Sequence, residues 1–171
     1  MTYVFEPRPH PAAAIAGSHK LFPINRIYCV GRNYAAHIRE MGFDPDREPP
    51  FFFQKPADAY VRSGASIPYP ADTTNLQFEI ELVAAIGKGG RDIALKDALN
   101  HVWGYAVGVD LTRRDRQFEA RDRGRPWEPG KAFDRSAPMG ELVSVDKCGH
   151  IERARISLSV NGEAKQDADV G

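Results

Sequence analysis

Five short stretches of the chain are apolar or alternate between apolar and polar residues, and each predicts a β-strand. The clearest is residues 78–86 (FEIELVAAI), where Phe78, Ile80 and Leu82 point to one face. Residues 154–160 (ARISLSV) alternate throughout, and the Asn-Gly pair that follows is typical of a two-residue hairpin turn. The other predicted strands cover residues 26–30, 50–54 and 101–111.

Two further stretches have helical character. In the segment GRNYAAHIREMG, Asn33 suits the N-cap and Gly42 suits the position just beyond the last turn. The charged residues 112–123 predict a second helix, ended by Gly124. Strands outnumber helices and do not alternate regularly with them, which favours a β-rich α+β fold over a doubly wound sheet.

The N-terminal residues 1–24 are proline-rich, and we expect them to form an irregular segment. They mix acid, base and proline where a signal peptide needs an unbroken apolar stretch. No apolar run in the sequence approaches the roughly 18 residues of a membrane-spanning helix. We therefore expect a cytoplasmic protein with no membrane partner.

Composition and charge narrow the function further. The 171 residues suffice for one domain with a sizeable core. The 23 basic and 23 acidic residues give a formal net charge of zero, whereas nucleic-acid-binding proteins usually have a basic surplus. The two cysteines, Cys29 and Cys148, are too few for a disulfide-rich scaffold or a cysteine-type zinc site. We expect no nucleic-acid partner.

Two glutamates stand two residues apart in the clearest predicted strand. Glu79 and Glu81 share a face, roughly 6.5–7 Å apart along the backbone, and the same face continues with Val83 and Ala85. Two like charges beside apolar neighbours repel and lose hydration, and a hard divalent cation between them would remove both costs. The alternative is an edge strand with exposed glutamates.

A third carboxylate, Asp110, ends the predicted strand 101–111. Gly104, Ala106 and Gly108 share its face, and their small side chains would leave space above the sheet for a ligand. The alternative is that Asp110 starts the turn into the next helix, or that Thr112 caps that helix.

Other polar residues could either take part in catalysis or ligand binding, or simply lie at the protein surface. His37 and Glu40 share a helix face, as a water-activating pair requires, or they form an exposed helix pair. Arg114 and Gln117 share a face of the second helix and could reach a carboxylated ligand, although most of that helix suits solvent. Lys131 follows a proline-glycine loop, where a lysine is normally at the surface.

The combination and order of these motifs closely resemble the fumarylacetoacetate hydrolase family. The matching blocks are GRNYAAHIREMG, PFFFQKPADA, FEIELVAAIGK, YAVGVDLTRRDRQ and GRPWEPGKAFDRSAPMG, and the later VNGE also fits. PFFFQKPADA is most similar to the family's fumarylpyruvate hydrolase branch. The resemblance implies a catalytic domain over residues 25–171 with a mixed β-roll fold, a homodimer, and one Mg²⁺ or Mn²⁺ per subunit, with Ca²⁺ as a substitute.

The resemblance also assigns roles to the residues singled out above. It places the metal ligands at Glu79, Glu81 and Asp110. It places the catalytic groups at His37, Glu40 and Lys131, with His37 deprotonating water and Lys131 stabilising the oxyanion. It places the substrate contacts at Arg114, Gln117 and Lys55.

The reaction that the resemblance implies is hydrolysis of a carbon–carbon bond in an acylpyruvate, best matched by fumarylpyruvate yielding fumarate and pyruvate in aromatic catabolism. A 2-oxo acid decarboxylase, a 2-hydroxydienoate isomerase and a non-catalytic binding protein on the same fold stay open. Family members continue past the NGE hairpin with more strands and a TGTPxG-like loop, and this sequence stops at Gly171 without them. We therefore expect residues 1–171 alone to be poorly folded or inactive.

Overall fold

The computed structural model describes residues 2–31 and 51–170. The predicted helix that begins after Asn33, together with His37 and Glu40, lies outside these residues. The described residues are rich in strands and contain few helices, as expected for a β-rich α+β fold. None of their helices is long and apolar enough to cross a membrane.

Short strands make up most of the described secondary structure. The strands are β1 (Ala12–Ala14), β2 (Leu21–Pro23), β3 (Ile27–Gly31), β4 (Phe51–Lys55), β5 (Tyr60–Arg62), β6 (Leu76–Gln77), β7 (Ile80–Ile86), β8 (Val102–Val109), β9 (Thr112–Arg113), β10 (Ala137–Met139), β11 (Val143–Ser144), β12 (Arg155–Val160) and β13 (Glu163–Asp169). The α-helices are α1 (Arg114–Asp122), α2 (Glu128–Lys131) and α3 (Val145–Cys148), and two 3-10 helices cover Ala57–Ala59 and Leu95–His101.

Strand β8 lies at the centre of the largest sheet. It pairs antiparallel with β7 on one side and with β10 and β11 on the other, and β10 pairs in parallel with β5. The sheet is therefore mixed. Three antiparallel pairs, β1–β2, β3–β4 and β6–β9, and the hairpin β12–β13 complete the described strands.

One face of β7 and β8 forms the hydrophobic core. Ala85 and Ala106 are buried there with Ala13, Ile24 and Leu142. Val83 packs against this cluster, and a β-carbon on Gly108 would lie only 2.8 Å from a methyl group of Val83. The face that carries Glu79 and Glu81 therefore leads directly into the core.

Packing also fills the space that small residues of β8 were expected to leave for a ligand. A β-carbon on Gly104 would lie 2.3 Å from the carbonyl oxygen of Val143, and Ala106 is part of the core. The expectation of open space above these residues was wrong, because the neighbouring strand and the core occupy it.

Most predicted elements are present, with small shifts at their ends. β3, β4, β7, β8 and β12 correspond to the five predicted strands. The predicted helix 112–123 begins only at Arg114, because Thr112–Arg113 pairs with Leu76–Gln77 instead. It ends as predicted, with Gly124 in the left-handed conformation at φ +61°.

The N-terminal residues 1–24 were predicted to be irregular, but part of this segment forms strands. β1 and β2 form an antiparallel pair in which Ala13 lies opposite Phe22. The amide of Ala16 also donates to the carbonyl of Leu142 and the amide of Leu142 to that of Ala14, which ties this segment to the core.

The predicted hairpin at Asn161 and Gly162 is confirmed. Both residues have positive φ, at 53° and 83°, as a type I′ turn requires. The inward face of the hairpin carries buried Ile156 and half-buried Gln166, whereas Arg155 on the outward face forms an exposed ion pair with Asp167.

Helices α1 and α2 pack closely together because Gly130 has no side chain. A β-carbon there would lie 2.7 Å from the backbone nitrogen of Gln117. The start of α1 is joined to the preceding loop by Asp115, which accepts hydrogen bonds from the Thr73 hydroxyl and the Thr74 amide, at 2.6 and 3.0 Å. These contacts fix the two helices that carry Arg114 and Lys131.

Candidate active site

The ammonium of Lys131 lies at the centre of a buried polar cluster. Its side chain is 2% exposed. It donates hydrogen bonds to Glu79 at 2.6 Å, Asp110 at 2.8 Å and the Thr112 hydroxyl at 2.7 Å. Lys131 is therefore an internal cation held by two carboxylates, not a surface lysine.

The two carboxylates are brought together by the pairing of adjacent strand ends. The amide of Asp110 donates to the carbonyl of Glu79 at 2.8 Å, and the amide of Glu79 donates back at 3.2 Å. This pairing extends the β7–β8 ladder beyond Ile80 and Val109, and it places the two residues directly opposite each other. Both side chains therefore share one face.

Arg114, the first residue of α1, holds the other side of Glu79. Its guanidinium donates to the Glu79 carboxylate, to Gln77 at 2.7 Å and to Gln117 at 2.6 Å. Burial pushes the pKa of Glu79 upward, but Lys131 and Arg114 act together against it and the pKa lies below its ordinary value. Glu79 is therefore ionised at neutral pH.

Lys55 supports the cluster from β4. Its ammonium donates to the carbonyl oxygens of Leu111 and Lys131, and it lies 2.9 Å from Oδ1 of Asp110. Burial lowers the pKa of Lys55, and the adjacent Asp110 opposes this shift. The two hydrogen bonds join Lys55 to the backbone on either side of the cluster, so Lys55 fixes the backbone next to Asp110.

Aromatic rings enclose this charged cluster. The Phe53 ring lies 5.1 Å from the Lys131 ammonium and the Phe133 ring 5.6 Å from the Lys55 ammonium. Trp127 packs edge-on against Phe51 at 4.9 Å. Such surroundings strengthen the charge interactions inside the cluster.

The carboxylate oxygen atoms of the cluster suit a divalent cation. Oδ1 of Asp110 is buried and accepts no hydrogen bond of good geometry, although Lys55 is close. Glu79 and Asp110 already share one cation, and Glu81 follows on the same face, opposite Gly108. Oxygen donors of this kind suit Mg²⁺, Mn²⁺ or Ca²⁺.

The same arrangement shows what a metal would have to displace. Among residues 2–31 and 51–170, no three carboxylate, histidine or cysteine side chains are grouped closely enough to hold a metal ion. The Lys131 ammonium stands between Glu79 and Asp110, where a shared cation belongs. The donor chemistry fits a divalent ion, provided that Lys131 gives up part of its hold on the two carboxylates.

The structure gathers most of the residues singled out in the sequence. Six of them form one cluster, namely Glu79, Asp110, Lys131, Arg114, Gln117 and Lys55. Glu81 lies next to this cluster, on the face of β7 that carries Glu79. His37 and Glu40 lie outside the described residues. Sequence reasoning missed the roles of Thr112 and Gln77, which accept hydrogen bonds from Lys131 and Arg114, and no spacing signal marks either residue.

Cys29 on β3 lies in the electrostatic field of this cluster. Burial raises the pKa of its thiol to about 12, and Asp110 contributes in the same direction. The thiol is therefore protonated at neutral pH.

Comparison with known proteins identifies the family. Residues 26–171 match the family model described as fumarylacetoacetate (FAA) hydrolase C-terminal. The chain belongs to this family.

Relatives within the family have several different activities. A crystal structure of fumarylpyruvate hydrolase from Pseudomonas aeruginosa in complex with Mn²⁺ and pyruvate is 59% identical, with a TM-score of 0.94 over 98% of this chain and 74% of that one. A mitochondrial oxaloacetate decarboxylase from Dictyostelium discoideum is 39% identical over 82% of this chain. The human mitochondrial oxaloacetate tautomerase FAHD1 is 41% identical over 84% of it. The chain spans 65% and 64% of the lengths of these two curated relatives.

Proposed function

We propose that this protein is a divalent-metal-dependent acylpyruvate hydrolase that converts fumarylpyruvate and water to fumarate and pyruvate. The observation that carries the proposal is the convergence of Glu79 and Asp110 on one buried cation position, in a chain 59% identical to a fumarylpyruvate hydrolase crystallised with Mn²⁺ and pyruvate. We also propose a homodimer, as the family resemblance implies.

Glu79, Glu81 and Asp110 would hold the metal, either Mg²⁺ or Mn²⁺. When bound, the metal supplies Lewis acidity toward the oxygen atoms of a 2-oxo acid. The buried Oδ1 of Asp110 supports this assignment, because it lies 2.9 Å from Lys55 without accepting a well-formed hydrogen bond and so keeps a lone pair for a cation.

The charges of the cluster support a dianionic substrate. Among the described residues of the cluster, three carboxylates (Glu79, Glu81 and Asp110) balance three cations (Lys55, Arg114 and Lys131). A divalent ion therefore adds an excess of two positive charges inside an aromatic enclosure. A substrate with two carboxylates, such as fumarylpyruvate, would restore neutrality.

Lys131 is proposed to stabilise the oxyanion that forms when water attacks the acyl carbonyl. Its three protons are donated to Glu79, Asp110 and Thr112 in this structure. It must therefore exchange one of these partners for the substrate oxygen. A metal held by Glu79 and Asp110 would take over part of the hold of Lys131 on these carboxylates, and the proton released in this way would be donated to the substrate oxygen.

Arg114 and Gln117 are proposed to orient a substrate carboxylate. Their mutual hydrogen bond and their position at the start of α1 support a shared role. His37, assisted by Glu40, is proposed to deprotonate the attacking water, on the strength of the sequence resemblance. In outline, the water oxygen bonds to the acyl carbon, the carbon–carbon bond breaks, and the pyruvate enolate takes up a proton.

A second candidate is a decarboxylase or tautomerase of oxaloacetate, which is supported by the relatives with those activities. Oxaloacetate is also dianionic, so the charge balance does not separate the two candidates. Tautomerisation does not require an activated water, whereas hydrolysis does. We expect His37→Ala to abolish pyruvate release from fumarylpyruvate while leaving Mn²⁺ affinity unchanged.

The experiment that tests the proposal is a substrate panel with Mn²⁺ or Mg²⁺. We expect pyruvate release to be fastest from fumarylpyruvate and to stop when EDTA is added. Faster turnover of oxaloacetate than of any acylpyruvate would favour the second candidate. No turnover of any of these acids, with metal bound, would favour a binding protein on the same fold.

A further inference from the structure

The side-chain amide of Gln166 bridges the backbone on both sides of Glu79. Its Nε2 donates to the carbonyl of Phe78 at 3.1 Å, and its Oε1 accepts from the amide of Ile80 at 2.8 Å. The two bonds use one N–H group and one lone pair of the amide, in the way that the backbone of a paired strand would.

The position of Gln166 explains why its amide meets β7. The hairpin β12–β13 turns Ile156, Leu158, Gln166 and Ala168 toward the body of the protein, and Gln166 is the polar member of this inward face. The backbone of the hairpin belongs to a separate sheet from β7. The amide therefore supplies hydrogen bonds to Phe78 and Ile80 on the side of β7 where no strand of the described residues pairs with it.

We infer that Gln166 is a positioning residue for the metal site, acting through Glu79. One edge of the Glu79 peptide segment is fixed by its paired hydrogen bonds with Asp110, and Gln166 holds the opposite edge. The inference rests on the proposed function, because it assumes that Glu79 is a metal ligand. Partners that orient metal ligands typically contribute about 10- to 100-fold to metal affinity.

The test compares Gln166→Met with a matched control on the same hairpin. Methionine keeps the length of the side chain but removes both hydrogen bonds. In the control, Arg155→Met removes the exposed ion pair with Asp167 and leaves β7 untouched. Mn²⁺ affinity is measured by the loss of the free-ion EPR signal, and exchange of the Ile80 amide hydrogen is measured by NMR without metal.

In Gln166→Met, we expect the Kd for Mn²⁺ to be about 10-fold higher and the Ile80 amide hydrogen to exchange faster than in the unmodified protein. In Arg155→Met, we expect the Kd for Mn²⁺ to stay within twofold of that of the unmodified protein. A general loosening of the hairpin would instead change both variants alike, which would overturn the inference. If Gln166→Met does not fold, Gln166→Asn replaces it in the test, because the shorter side chain of asparagine does not bring its amide within reach of both Phe78 and Ile80.

The outcomes also separate this inference from the proposed function. An unmodified protein that binds Mn²⁺, with Gln166 variants that bind it within twofold as tightly, would overturn the positioning role alone. An unmodified protein that does not bind Mn²⁺ would overturn the proposed metal-dependent activity and the inference together.

Discussion

Replacing Lys131 with methionine is the perturbation that tests the buried cluster most severely. Methionine preserves most of the apolar stem beside Phe53 but removes the ammonium that binds both Glu79 and Asp110. Arg114 then remains on Glu79 and Lys55 remains near Asp110. Both carboxylates thus lose one of their two cations without leaving their buried positions.

The expected cost follows from this loss of compensation. Removing one partner of a buried ion pair typically costs about 3–5 kcal/mol. With a urea dependence of about 2 kcal/mol per molar, the unfolding midpoint of metal-free Lys131→Met should fall by about 1.5–2.5 M. Mn²⁺ at one hundred times its Kd should restore about 2.7 kcal/mol, because it binds the folded state and replaces the lost positive charge.

The assay is urea unfolding of the metal-free and Mn²⁺-saturated proteins. Lys88→Met is the matched control, since it removes the same charge from an exposed position. We expect the midpoint of Lys88→Met to change by less than 0.3 M, from a surface effect within about 0.5 kcal/mol. A cost below about 1 kcal/mol for Lys131→Met, or no recovery with Mn²⁺, would refute the reasoning.

Three further predictions concern the surroundings of the site. Gly130→Ala should cost about 1–3 kcal/mol in thermal unfolding because its methyl group would meet the α1 backbone, whereas Gly89→Ala, with open space around it, should be nearly neutral. Asp115→Asn should lower the free energy of unfolding at pH 7 only slightly, because the carboxylate is close to solvent and water screens its hydrogen bonds. The Thr73 hydroxyl and two backbone amides donate hydrogen bonds to Asp115 and lower the pKa of its carboxyl group. The contribution of Asp115 to the free energy of unfolding is therefore complete above its pKa in the unfolded chain, and it is lost as the pH falls through the lower pKa of the folded state. Acid unfolding of Asp115→Asn should lack this pH dependence. At pH 8, a thiol reagent should modify the exposed Cys148 quickly. It should modify the half-buried Cys29 slowly, because the pKa of that thiol is about 12. Fast modification of both thiols would contradict the raised pKa of Cys29.

The strands could be predicted because their side-chain pattern reports burial directly. The alternation of β7 and β12 and the Asn161-Gly162 turn each specify a local conformation, and the structure has all three. β1 and β2 could not be predicted in this way, since three residues are too few to show a period and their pairing depends on contacts with Leu142.

The carboxylates of the site were predictable, whereas the role of Lys131 was predictable only through the family resemblance. Glu79 directly precedes β7 and Asp110 directly follows β8, and the pattern of both strands is clear. Period two predicts the shared face of Glu79 and Glu81, whereas the position of Asp110 opposite Glu79 depends on the pairing of the two strands. Lys131 follows a proline-glycine loop, and its burial depends on Gly130 allowing α2 to approach α1. Gln166 carries no signal of its own, because a polar residue in a half-exposed strand looks the same whether it faces water or another strand.

Pyruvate release from fumarylpyruvate, measured across a Mn²⁺ titration, tests the central claim most directly. We predict saturable, EDTA-sensitive release by the purified full-length protein, and none at any Mn²⁺ concentration by Asp110→Asn, which keeps the size of the side chain but removes its charge. Release that persists in EDTA, or in Asp110→Asn, would contradict a metal-dependent hydrolase built on Glu79 and Asp110.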